Sequence, residues 1–245
     1  MSRKKKDKRK SRGRSRRSTR PTAVDYAYRK AVREADRALA ESEVEIGADN
    51  WQEVALDWFT ADARDRGELS SYIGSHKSRL GIGWARDLLR LEVFLRAGDH
   101  EAIMAHYDRA MTRYPRCAQV DTWVAEQIGR QGGDWWRARS MLLYAVEQLP
   151  GHARPRYELG FQHYLLGDFP GALAWFDQAV DRLTDAEADF GAQVHFNRGI
   201  VRYALDGDRK AAIADVRTAL RLRPDYAQAK ETLRGLRGKV RWSPW

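Results

Sequence analysis

Residues 156–183, RYELGFQHYLLGDFPGALAWFDQAVDRL, read as two amphipathic helices joined by a tight turn at Gly167-Asp168. In the first, Tyr157, Leu159, Gly160 and Tyr164 recur at helical spacing. In the second, Ala172, Phe176 and Ala179 do the same, so each helix offers the other an apolar face. Gly160 and Ala172 are small where the two backbones would cross, which lets the axes approach closely.

The unit recurs. Gly-Asp pairs fall at Gly98-Asp99, Gly133-Asp134, Gly167-Asp168 and Gly207-Asp208, with spacings of 35, 34 and 40 residues. Five residues after each Gly stand Ile103, Ala138, Ala172 and Ala212; nine after stand Tyr107, Leu142, Phe176 and Val216. Twelve after, all four units have alanine: Ala110, Ala145, Ala179 and Ala219. Seventeen after, three have proline (Pro115, Pro150, Pro224), which ends a helix because it lacks an N–H and disfavours α geometry in the preceding residue. The period is that of a helix-turn-helix solenoid.

This pattern resembles the tetratricopeptide repeat (TPR), most clearly in the third unit and in the fourth, HFNRGIVRYALDGDRKAAIADVRTALRLRPDYAQA. The first two units keep the turn and the alanine but have Leu91 and Glu126 where helix one calls for a small residue. The resemblance implies an all-α fold: a TPR-like right-handed α-solenoid of antiparallel helix pairs, with repeats at 84–117, 118–151, 153–186 and 192–226. It also implies a concave face lined mainly by first helices. On that face it places Leu88, Glu92 and Leu95, then Trp123, Gln127 and Arg130, then Tyr157, Phe161 and Tyr164, then Phe196, Ile200 and Tyr203. Some chaperone-linked members of the family clamp a peptide carboxylate there with Lys and Asn. The rings in this chain suit an apolar helix or extended segment instead.

Outside the repeats the chain changes character. Residues 1–20 hold 12 Lys and Arg and one acid, a net of +11 in a chain whose total is +10. After Met1 this tail has nothing apolar to bury, so it is expected to be disordered. No apolar h-region follows it, and no run approaches the length of a spanning helix, so a cytoplasmic protein without a transmembrane segment is expected. Residues 21–83 read as N-terminal helices and a connecting loop, a diverged repeat or a cap. They comprise a helix from Thr22 to about Ser42, a second over Trp51 to Arg66 capped by Asn50 with Glu53 as capping-box partner, and an irregular connection over 67–83. Five extra residues around Thr184–Ala192 and one before Gly207 separate units three and four. Residues 227–245 read as a capping helix and tail ending in Trp242 and Trp245.

Catalytic chemistry has no signature here. The six histidines are scattered, His100, Glu101 and His106 lack the spacing of a zinc helix, and no Walker loop, GxGxxG or GxSxG occurs. The lone Cys117 allows no intrachain disulfide. The expectation is a binding scaffold without cofactor, metal or enzymatic activity, whose partner is a protein or peptide held in the groove. The rival is a nucleic-acid- or ribosome-associated factor in which residues 1–20 meet nucleic acid or an acidic surface. Its second contact would be the C-terminal segment, of net charge +7 over 209–245, where the candidates are Arg209, Lys210, Arg217, Arg221, Arg223, Lys230, Arg234 and Arg237.

Overall fold

The structure, a computed structural model, describes residues 22–60 and 62–238. The tail of residues 1–20 and the terminal Trp242 and Trp245 lie outside the described residues. Among those described, twelve α-helices run in sequence as antiparallel neighbours.

Four helix pairs carry the repeat: α4 (Ile82–Ala97) with α5 (His100–Met111), α6 (Ala118–Arg130) with α7 (Trp135–Gln148), α8 (Arg154–Leu165) with α9 (Phe169–Val180), and α10 (Ala188–Asp206) with α11 (Arg209–Leu222). Each Gly-Asp turn divides its labour. A left-handed glycine ends the first helix, at Gly98, Gly167 and Gly207 with φ of 68°, 76° and 66°, a conformation that costs glycine nothing. The aspartate then caps the second helix: Asp99, Asp134, Asp168 and Asp208 accept from the N–H groups of Ala102, Arg137, Gly171 and Ala211 at 2.9–3.1 Å. In the second pair the left-handed residue is Gly132, one before the Gly-Asp dipeptide. The turn is one residue longer than the spacing implied, which moves the register. Seven residues before Gly132 stands Ala125, fully buried, rather than Glu126.

The repeat positions pack as their spacing predicts. All twelve residues found five, nine and twelve after the Gly-Asp glycines are buried. At Gly160 an added Cβ would lie 2.7 Å from the Phe176 ring and 3.2 Å from the Ala172 carbonyl, so α8 and α9 meet there in near backbone contact. Gly199 does the same work against α11, 3.1 Å from the Ala212 carbonyl. The residues inserted before the fourth pair are helical, forming a 3-10 turn at Asp185–Glu187 and the first turn of α10. Cys117 is buried, and burial pushes its thiol up to about 12, away from reactive-thiolate behaviour.

The N-terminal region departs most from the sequence reading. Helix α1 (Ala23–Glu41) opens with a Thr22–Asp25 capping box and packs on α4 and α5. The expected helix over 51–66 is two helices instead: α2 (Trp51–Phe59) stops at Thr60, and Asp62 caps α3 (Ala63–Ser75), accepting from Arg64 N–H. Gly67 lies inside α3 with open space around it, and the expected loop is helical as far as Ser75. Leu69 and Ile73, four apart and buried, hold that helix in place despite its serines and glycines. Asn50 makes no cap bond to α2. Its side chain instead pins the preceding loop, through Gly47 N–H and the Glu45 carbonyl. Helix α12 (Ala227–Arg237) closes the far end against α11.

Candidate binding groove

The first helices α6, α8 and α10 lie side by side and form one face of the solenoid. At its N-terminal end that face is covered by α2 and α3. Phe59 meets Trp123 edge to face with centroids 5.0 Å apart. Tyr72 packs on Trp84 and donates its hydroxyl proton to the Pro115 carbonyl at 2.5 Å. Asp65 pairs with His152 Nδ1 at 3.0 Å. The chain's own helices thus cover the N-terminal part of this face.

The predicted groove residues divide accordingly. Leu88, Leu95 and Ile200 are buried in the core, as is Tyr157, whose hydroxyl accepts from Asn197 at 2.7 Å. Glu92 and Trp123 line a cavity beneath α2 and α3, and Gln127 is half-buried. Arg130, Phe161, Tyr164, Phe196 and Tyr203 remain partly or largely exposed. Sequence reading missed Phe190 and Tyr226, which extend the aromatic lining: Phe190 packs on Tyr157 at 5.3 Å and Tyr226 on Phe196 at 5.0 Å. Arginines sit over this lining, Arg154 at 4.5 Å from the Phe190 centroid and Arg130 at 5.6 Å from Phe161.

Between α6 and α8 lies a charged knot. Arg130 pairs with Glu126 at 3.1 Å and with Glu158 at 3.3 Å, and Glu158 is 2% exposed. Burial first, and then the Glu126 carboxylate, push Glu158 up to about 8 against the pull of Arg130 and Arg154. The native chain therefore holds a proton that the unfolded chain has released once pH exceeds the ordinary carboxylate range. Stability is full below that range and declines as pH rises toward 8. Glu158→Gln should remove the decline, making the variant more stable than wild type at pH 8 by on the order of 2 kcal/mol but not at pH 4. Urea unfolding at the two pH values checks it, and parallel profiles would refute the assignment.

Three histidines are held by internal contacts. Asp168 holds His163 Nδ1 at 2.7 Å, His106 Nε2 meets the Asp87 carbonyl at 2.8 Å, and His195 meets Asp215 at 3.3 Å. No group of three or more His, Cys, Asp or Glu placed to hold a metal occurs among the described residues.

Of the basic candidates, Arg209, Lys210 and Arg217 surround a depression at Ile213 and Ala214. Arg209 bonds the Gly238 carbonyl at 3.0 Å, and Arg223 stacks on Tyr226 at 3.6 Å. Lys210, Arg217, Arg221, Lys230, Arg234 and Arg237 are exposed on α11 and α12.

No protein-family model matches this chain, and no curated protein matches it in sequence. Solved structures do. YrrB, a TPR protein with an unusual peptide-binding site, matches with a TM-score of 0.50 at 16% identity, over 88% of this chain and 100% of that one. The Cut9–Hcn1 hetero-tetramer of APC/C matches with a TM-score of 0.56 at 16% identity, over 85% of this chain and 39% of that one. The fold of this chain is therefore that of TPR proteins. No described helix is long and apolar enough to cross a membrane.

Proposed function

We propose that this chain is a protein–protein interaction scaffold, cytoplasmic and without enzymatic activity, which seats an apolar helix or extended peptide on the C-terminal half of its groove. The observation that carries this reading is the half-buried aromatic row of Phe161, Phe190, Phe196 and Tyr226, which stays open where α2 and α3 close the other half. Rings presented on rigid helices give large contact area at low entropic cost. The TPR fold, which matches a peptide-binding protein among others, supports the same class of partner.

The test is selection of a displayed random-peptide library against the full chain. Recovered peptides should carry apolar residues at helical spacing or, if extended, at alternate positions. They should bind the Phe161→Ala, Phe196→Ala variant roughly tenfold more weakly or worse, with its melting temperature checked in parallel. Peptides indifferent to these substitutions would refute the groove. The rival, nucleic-acid binding, draws on the six exposed cations of α11 and α12. It would be favoured if only nucleic acid bound, with an affinity falling steeply as salt rises.

A further inference from the structure

Beneath α2 and α3 lies a cavity of about 270 Å³, too small for a folded segment and sized for one side chain. Trp58, Phe59 and Trp123 form its aromatic walls. Asp65 of α3, Glu92 of α4 and Glu126 of α6 bring carboxylates to it from three separate helices. Against these three stands one lining guanidinium, Arg154, which is already stacked over Phe190 and 3.9 Å from Glu126. The lining residues thus set three carboxylates among aromatic faces. Glu92 and Glu126 are held from outside the lining by Arg96 and Arg130, so a ligand cation enters by exchange with such an arginine.

The rim specifies which cation. At the rim the chain itself shows the mode: the Arg96 guanidinium bonds Glu92 at 2.6 Å and lies 5.7 Å from the Trp58 centroid. Its side chain is 70% exposed, so a ligand group can exchange with it at small cost. Deeper, His152 lines the cavity with its side chain 6% exposed. Its Nδ1 faces Asp65, while its buried Nε2 has no hydrogen-bond partner, the nearest carboxylate oxygen (Glu68) being 3.8 Å away. His152 is thus a wall group that holds the Asp65 carboxylate in position at the cavity. A planar guanidinium, which stacks on rings while donating from its edge, answers aromatic walls and carboxylates together better than a compact ammonium.

We infer that this cavity receives an arginine side chain of the partner peptide, setting the peptide's register; the inference rests on the groove reading above. The test uses the full chain and fluorescein-labelled apolar helical peptides that differ at one residue: arginine, its uncharged isostere citrulline, or glutamate. The arginine peptide should bind at least about tenfold more tightly than the citrulline peptide, with glutamate weakest. In the Glu92→Gln, Glu126→Gln variant the arginine advantage should fall to near unity with citrulline affinity unchanged, whereas Phe161→Ala should weaken all three peptides alike. Equal binding of arginine and citrulline peptides, or an advantage that survives the glutamine pair, overturns the arginine pocket. Sensitivity to Phe161→Ala in that case leaves the groove standing. Failure of every peptide to bind overturns both. If binding appears only when the 12 Lys and Arg of residues 1–20 are replaced by Gln, the cavity serves the chain's own basic segment and the partner assignment falls.

Discussion

Phe176→Ala should cost about 3–5 kcal/mol and lower the melting temperature by roughly 10 °C. The ring is fully buried, packs on Tyr157 with centroids 5.6 Å apart, and lies against the bare backbone of Gly160. The α8–α9 crossing already holds the two backbones in near contact there, so the backbone has little room to close the void. The converse change, Gly160→Ala, forces a methyl to within 2.7 Å of the same ring and should cost about 1–3 kcal/mol despite alanine's better helix propensity. The two act on one space. Combining Gly160→Ala with Phe176→Leu should therefore cost less than the sum of the single changes. Additive losses in calorimetry would show that the crossing is not the constraint described.

The second large effect belongs to Asp215, 3% exposed, which gathers two guanidiniums and an imidazole. Arg198 Nη2 lies 2.6 Å from its carboxylate, Arg202 Nη1 2.9 Å and His195 Nδ1 3.3 Å. Asp177 of α9 engages the same two arginines at 3.0 and 3.2 Å, so α9, α10 and α11 are tied through one network. Asp215→Ala strands the nearly buried Arg198 and should cost about 3 kcal/mol. Asp177 is half exposed, and Asp177→Ala should cost about 1 kcal/mol or less, although it touches the same side chains. Chemical denaturation of both variants separates burial from mere pairing; equal losses would refute the argument. Burial works to raise the Asp215 pKa, but hydrogen bonds from His195 and Arg198 and the charges of both arginines outweigh it, leaving the carboxyl below its ordinary value. The sign follows. This stabilisation is complete above the ordinary carboxylate range and is lost as pH falls through the depressed native value. Asp215→Ala should flatten the acid limb of the stability profile.

Much of the fold was legible because it depends on neighbours in sequence. The left-handed glycine and capping aspartate act within four residues, and the buried positions within twelve, so their chemistry repeats wherever the unit repeats. The first helix of the second unit was read one residue out of register because Gly132 and Gly133 both suit a turn and only φ distinguishes them. Helix α3 was missed because Ser70, Ser71 and Gly74 speak for a loop. Burial of Leu69 and Ile73 against distant helices overrides that local preference.

The groove residues were legible as a face of each first helix but not as a surface. Whether Tyr157 is core and Phe161 groove depends on Phe190 and Asn197, which belong to α10 and not to α8. By itself, then, the sequence determined the helix pairs, their turns and the small residues at their crossings, since these are short-range and periodic. Only the tertiary structure decided that α2 and α3 cover the N-terminal part of the first-helix face and leave a cavity lined by carboxylates and rings beneath them. The joining contacts of Phe59 with Trp123, Asp65 with His152 and Tyr72 with Pro115 bridge long stretches of chain. They recur at no period, so the chain must fold before such residues become neighbours.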